Sequence, residues 1–373
     1  MAPEPGCGGK FVSNTDLAPR RGACRSPWRA LVAALAVAAG VALSACSHAP
    51  EPYRQEAYVF GTRVEVLVAD QPEAQARPAV AAVLQEFDRL HRTYHAWQPS
   101  ELTRVNQAFQ NGQAIRVSPE MRGLVADAQA IARKGDWLFD PGVGRLVQLW
   151  GFHSDEFRPR LPDMARVSFL TAAHPSLQGV QIRGDKLYSP NPAVALDFGG
   201  YLKGVALDRA AAMLKARGIH HALINIGGNV LALGDKHGEP WRVGIQHPRK
   251  PGPMATLELR DGEAIGTSGD YQRFFEVGGK RYCHLLDPRT GHPAEGTAAV
   301  TVLIPPGPHA GALSDAASKP LFIGGPSQWL RLARQLGVSQ ALRVDASGKV
   351  QVTPALDDRI KFESGVDTEV VGP

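Results

Sequence analysis

Two-residue turn signals set between short apolar runs constrain this chain more than any other feature. Asp261-Gly262 separates Leu257 to Arg260 from Glu263 to Thr267, and Gly278-Gly279 separates Phe274 to Val277 from Arg281 to Leu286. Such pairs accept positive φ and reverse the chain in two steps, a connection open only to antiparallel neighbours. Gly184-Asp185 inside Val180 to Ser189, and Ser347-Gly348 near the C-terminus, read as two more hairpins. Hairpins mixed with segregated helices predict an α+β fold, with mixed and antiparallel sheets and packed helices, and argue against a doubly wound parallel sheet.

Periodicity supplies the other elements. Ala57 to Ala69 alternates, with Val64, Val66 and Val68 on one face, and reads as one strand. Val80, Val83, Phe87, Leu90 and Tyr94 recur at helical spacing and predict a long amphipathic helix. Ser118-Pro119-Glu120 is a helix start, a capping hydroxyl followed by Pro in the first turn. Leu202 to Arg217 reads as a helix ended by Gly218. Ala222 to Ile226, Val230 to Leu233, Trp241 to Gln246 and Val300 to Ile304 read as strands, and Ala310 to Ser318 and Gln328 to Leu336 as helices.

The N-terminal segment bears on location. Arg20, Arg21, Arg25 and Arg29 precede an apolar run from Ala30 to Leu43, which is signal-peptide length and short for a membrane span. Leu43-Ser44-Ala45-Cys46 closes it and resembles the lipobox of bacterial lipoproteins. On that reading 1–45 is a signal peptide and Cys46 carries acyl chains, each buried methylene contributing roughly 0.8 kcal/mol to membrane attachment. Residues 46–56 are then a tether, 57–355 the folded domain and 356–373 a tail. The expected location is the periplasmic face of a bacterial membrane, inner or outer. Of four cysteines, Cys7 and Cys24 leave with the signal and Cys46 is acylated, so Cys283 has no partner for an intramolecular disulfide. The net charge of +5 is mild, and no basic run with interleaved aromatics suggests nucleic acid.

Several familiar sites are absent. Gly142-Val143-Gly144 lacks the third glycine of a dinucleotide fingerprint, and Gly279-Lys280 lacks the rest of a P-loop. His220-His221 reads as a surface pair rather than a metal site. What remains is a set of loops at strand ends. Asp197-Phe198-Gly199-Gly200-Tyr201-Leu202-Lys203-Gly204 enters a helix, where backbone amides and Lys203 can face an anion. Asn225-Ile226-Gly227-Gly228-Asn229 divides two strands, Thr267-Ser268-Gly269-Asp270-Tyr271 ends one, and His284-Leu285-Leu286-Asp287-Pro288-Arg289-Thr290-Gly291 sets a histidine before a turn. Singly, each reads as turn chemistry; together they point to one shared site.

With these loops the chain resembles the ApbE family, the FAD:protein FMN transferases, from Phe60-Gly61-Thr62 to about Gly324. Further matching pieces are Ser100-Glu101-Leu102 with Asn106, and Phe139-Asp140-Pro141 through Leu149-Trp150-Gly151-Phe152. The resemblance implies a compact α+β unit related to the T-fold, with FAD in a cleft between two lobes and Mg²⁺ by the pyrophosphate. It implies transfer of FMN to a threonine hydroxyl of an extracytoplasmic redox protein, a subunit of a membrane complex, with AMP leaving. By position, Phe60, Trp97 or Tyr94, Leu138, Phe139, Asp140, Asp197, Lys203 and Leu285 are the implied FAD contacts. Thr267 and Ser268 are candidate donors to flavin or phosphate. The Gly200 carbonyl, Asp315 and Ser318 are the implied Mg²⁺ ligands. His284 is the candidate base, since imidazole titrates near neutral pH; the alternative is a structural histidine that pins the turn.

Two positions depart from the family pattern. Lys319 stands where a threonine metal ligand is usual, and an ammonium repels a cation instead of coordinating it. Lys319 is therefore expected to occupy or border the metal position, pairing with Asp315 or the pyrophosphate, unless it turns to solvent. Asn229 stands where Asp is common after the double glycine. The competing functions are a FAD pyrophosphatase, using water in place of threonine, and a non-catalytic FAD-binding lipoprotein.

Overall fold

The computed structural model describes residues 51–154, 156 and 158–372. The expected signal peptide and Cys46 lie outside these residues. The nine-stranded sheet that dominates the fold has its strands side by side in chain order. They are β1 (Tyr53–Val59), β2 (Thr62–Val68), β3 (Ala222–Ile226), β4 (Asn229–Leu233), β5 (Ala264–Gly269), β6 (Thr297–Ile304), β7 (Gln340–Asp345), β8 (Val350–Val352) and β9 (Thr368–Val370). Every neighbouring pair is antiparallel except β8 and β9.

Five longer helices pack around the sheet: α1 (Glu73–Thr93), α2 (Glu101–Gln110), α3 (Pro119–Lys134), α4 (Leu202–Lys215) and α5 (Ala310–Leu336). The strand period of two divides the burial. Val64, Val66, Val68, Ile224, Ile226, Leu231, Val300 and Val302 share a core with Phe87, Leu90, Leu207, Ala316 and Phe322 on the helix side. Val230, Ala232, Ile265, Leu303, Leu342 and Val344 face the other way, against Trp241, Ile245, Leu257 and Leu259 of a three-stranded sheet. Each buried Val, Leu, Ile or Phe among them contributes roughly 1.5–3 kcal/mol. A third, smaller cluster gathers Leu146, Trp150, Phe152, Val167, Phe275 and Leu286.

The α+β expectation is met, with four local corrections. Ala57 to Ala69 is a hairpin instead of one strand, because Phe60 (φ 57°) and Gly61 (φ 68°) both turn left-handed. Asp261-Gly262 joins strands of different sheets: Pro253–Leu259 pairs with Trp241–Gln246, whereas β5 pairs with β4 and β6. The turn anchors to the large sheet, Gly262 N–H on the Ala232 carbonyl at 2.8 Å and Gly234 N–H on Asp261 Oδ1 at 2.8 Å. The helix expected to stop at Ser318 runs on through Pro320 and breaks at Gly325, whose φ of 62° and ψ of −165° no helix accommodates. Finally, strands extend past both ends of the expected 57–355 domain. β1 begins within the expected tether, and the expected tail supplies β9 and the strand Ile360–Phe362.

Candidate active site

α4 and α5 meet at backbone contact. A Cβ on Gly204 would lie 2.2 Å from the Gly311 carbonyl oxygen, so only glycine permits this approach. The approach brings the Gly204 N–H to 3.0 Å from Oδ2 of Asp315, which is fully buried. Asp315 Oδ1 accepts from Lys319 Nζ at 2.6 Å and lies 3.7 Å from Lys203 Nζ. Lys319 Nζ also donates to the Asp315 main-chain carbonyl at 2.6 Å, and Lys203 Nζ to the Gly199 carbonyl at 3.0 Å. The Lys319 stem crosses Gly200, where a Cβ would lie 2.8 Å from Lys319 Cε. Burial would raise the Asp315 carboxyl, but the Lys203 and Lys319 ammoniums and the Gly204 N–H hold it at about 2. Burial pushes the Lys319 ammonium below its ordinary value, against the pull of Asp315.

The donor set that the resemblance assigns to Mg²⁺ does not fit a metal ion here. Both Asp315 carboxylate oxygens are engaged, one by Lys319 and one by Gly204. Its carbonyl accepts from Lys319 and from Ser318 Oγ at 2.9 Å. Ser318 Oγ also pairs with Ser268 Oγ at 2.7 Å. A side chain that carries its own positive charge lies over Gly200 and would repel an incoming cation.

His284 follows the hairpin formed by Phe274–Val277 and Lys280–Cys283. Its Nδ1 lies 3.2 Å from the Arg273 carbonyl, which can only accept. The proton is therefore on Nδ1, and Nε2 keeps its lone pair. Phe152, from the aromatic cluster, meets the ring edge-on at 6.4 Å. Burial, together with the charges of Arg273, Lys319 and Lys203, pushes the imidazole down to about 3. Asp197 shares this environment. Burial raises its carboxyl, while the Gly199 N–H at 2.8 Å and the charges of Arg273, Lys203 and His95 act against that rise.

The other expected residues divide. Ser268 faces α5 and is buried, whereas Thr267, one residue earlier, bonds Thr301 Oγ1 at 2.9 Å on the opposite face. Strand alternation turns the two hydroxyls to opposite faces of β5. Asp140 is turned inward: Oδ1 accepts from Gly142 N–H at 2.7 Å and Leu177 N–H at 2.8 Å, and Oδ2 from Ser176. It shapes the loop instead of presenting a carboxylate. Leu138 and Leu285 are buried in the main core, and Phe139 packs beside Gly200 and Tyr201. Tyr94 is buried against Phe198, while Trp97 is half-buried, meets His153 at 5.7 Å and lines an open cavity of about 770 Å³. Of the two aromatics, Trp97 is the one a ligand can reach. Phe60 sits on its left-handed turn against Phe87 and His91. Next to that turn, a Cβ on Gly227 would come within 2.7 Å of Thr62 Oγ1. Asn229 is buried, and its Nδ2 has no hydrogen-bond partner.

Arg273 and His95 escaped the sequence reading. The only local sign of Arg273 is its place two residues after the Thr267–Tyr271 run. Away from this site, His220 is exposed but His221 is not a plain surface residue. Its Nδ1 lies 3.3 Å from Asp235 Oδ1 and 3.8 Å from Asp70 Oδ2, a trio whose ligand atoms lie within 4.8 Å of one another.

The ApbE family matches residues 60–342. The chain belongs to the ApbE family. A Rhodobacter capsulatus FAD:protein FMN transferase is 42% identical over 337 residues, covering 90% of this chain; the chain spans 63% of that protein's length. A Klebsiella pneumoniae protein of the same name is 31% identical over 317 residues, 80% of this chain and 88% of the relative. Among solved structures, the ApbE protein of Thermotoga maritima superposes with a TM-score of 0.76 at 29% identity, over 84% of this chain and all of that one. The Pseudomonas stutzeri flavinyl transferase ApbE gives 0.71 at 30% identity, over 85% and 98%. The glycine loops, Asp315 and His284 all lie within the matched span.

Proposed function

We propose that this chain transfers FMN from FAD to a threonine hydroxyl of a target protein. One observation carries the proposal: the His284 imidazole, its Nδ1 bonded to the Arg273 carbonyl, keeps Nε2 as an acceptor. Burial and the charges of Arg273, Lys319 and Lys203 depress the imidazole in the free protein, and a bound pyrophosphate would offset those charges. The acceptor Oγ bonds to the FMN-side phosphorus. The bond from that phosphorus to the bridging oxygen breaks, and AMP leaves with that oxygen. His284 Nε2 takes the hydroxyl proton. Lys203 and Lys319 hold the pyrophosphate, and Arg273, whose Nη2 donates to the Phe152 carbonyl at 3.0 Å, adds its charge to the field that stabilises the growing negative charge. Trp97 offers a ring for stacking, and Asn229 Nδ2 a buried donor that a bound molecule would satisfy. Mg²⁺ enters no step.

The acceptor we propose is an extracytoplasmic segment of a membrane redox subunit. The Leu43 to Cys46 run supports anchoring by acyl chains on Cys46 at the periplasmic face of a bacterial membrane. Both the acceptor and the anchor are tested in cells: Cys46→Ala should release the protein from the membrane fraction and lower flavinylation of the acceptor.

In vitro, the purified protein is incubated with FAD and a threonine-bearing acceptor. AMP together with a fluorescent acceptor band is the expected result. Free FMN with AMP would identify a pyrophosphatase, and intact FAD on a yellow protein a binder.

A further inference from the structure

We infer that Lys319 is this protein's own cation at the pyrophosphate, so that FAD is bound without a divalent metal ion. The inference rests on the FAD reading above. Lys319 lies one helical turn beyond Asp315, on the face turned toward Gly200, so Gly200, Asp315 and residue 319 meet at one point. At that point stands an ammonium with three donors, two of them committed to Asp315. The third is left for a phosphate oxygen. The side chain carries one positive charge where a metal ion would bring two. Lys203 and Arg273 lie close enough to depress His284 and make up the rest of the positive field. Asp315 keeps its place without metal, because the Gly204 N–H holds Oδ2. A tethered cation also needs no free ion in solution, so its site is preorganised.

The test measures FAD affinity by flavin fluorescence quenching, in EDTA and in millimolar Mg²⁺. Mn²⁺ serves as a second probe, with bound ion read by electron paramagnetic resonance in the FAD complex. For the natural protein, the dissociation constant should be the same in both buffers to within about twofold, and Mn²⁺ should not bind stoichiometrically. Lys319→Thr removes a charge-assisted donor and opens oxygen ligands. In EDTA it should bind FAD about ten- to a hundredfold more weakly, with Mg²⁺ restoring affinity. Lys319→Met, of similar volume and no charge, should show the same loss without rescue. Stoichiometric Mn²⁺ in the natural complex, or FAD binding that collapses in EDTA, would overturn the inference while leaving the FAD site standing. Absence of FAD binding in both buffers would sink the FAD reading and this inference with it.

Discussion

The hydrogen bond from His284 Nδ1 to the Arg273 carbonyl, at 3.2 Å, does two things. It fixes the tautomer, and it leaves Nε2 as the atom that can accept a proton. His284→Gln keeps a donor for that carbonyl and loses the base. Transfer should therefore slow by about 10²–10⁴-fold with FAD affinity nearly unchanged, as read from single-turnover AMP release and fluorescence quenching. Equal losses in rate and affinity would make His284 a structural residue. The free enzyme's imidazole stays neutral down to about 3, so kcat/KM should show no acid limb at the ordinary histidine value of 6.5. A limb near 6.5 that disappears in His284→Gln would contradict the burial and the cation field around this imidazole.

At the level of elements, the site depends on where α5 begins. The helix has no capping side chain of its own at His309. Asp208 of α4 supplies one, accepting Gly311 N–H at 2.7 Å and Ala312 N–H at 2.8 Å. Asp208→Ala strands both donors and should cost about 1–3 kcal/mol in urea unfolding, with weakened FAD binding because Asp315 rides on the same helix. An unchanged urea midpoint would remove Asp208 from this role. The cap also shows what the sequence conceals. Ser118 caps α3 from three residues away and is legible as Ser-Pro-Glu, whereas Asp208 reaches across 103 residues and carries no local signature. The same division runs through the fold. Local turn chemistry correctly placed the Gly278-Gly279 and Ser347-Gly348 hairpins, whose strands pair with each other. At Asp261-Gly262 it marked a reversal but not the partner, because side-chain burial sends Leu257 and Leu259 to one sheet and β5 to another. Phe60 hid a turn, since a bulky residue at positive φ is not expected from sequence. Within the site, the glycine loops, Lys203, Asp315, Lys319 and His284 were legible as motifs. Arg273 was not, for its contribution is a carbonyl and a charge placed by tertiary packing. Strand alternation, which turns Thr267 and Ser268 to opposite faces of β5, is not carried by the Thr-Ser-Gly motif itself.

Over the whole molecule, the buried charges that build the site also set its acid stability. Below 6.5 the unfolded chain takes up a proton that folded His284 refuses until about 3, so stability falls as pH drops through that interval. Asp208 acts in the opposite sense. Burial raises its carboxyl from 3.8 to about 6 in spite of the Ala312 and Gly311 N–H bonds, so the folded chain gains the proton first and stability rises as pH drops from about 6 toward 3.8. Asp315 and Glu120 join His284 further down. Burial would raise both, but the lysines hold Asp315, and Arg89 with Tyr94 and Arg209 hold Glu120, each at about 2. Their stabilising contributions are complete above their ordinary values of 3.8 and 4.5 and are lost as pH falls toward 2. From about pH 6 downward Asp208 opposes His284, and Asp197 and Asp140, whose carboxyls burial also raises, act in the same sense as Asp208; the steep fall of the urea midpoint comes lower, once Glu120, Asp315 and His284 all pull the same way. Two variants separate the parts. His284→Gln should make the midpoint climb on acidification from pH 6, because Asp208 is then unopposed. Asp208→Asn should lower the midpoint on acidification from pH 6.5 relative to the natural protein, because the Asp208 contribution that opposes His284 is then gone. A level profile in both variants would mean that neither group is held away from its ordinary titration by the fold.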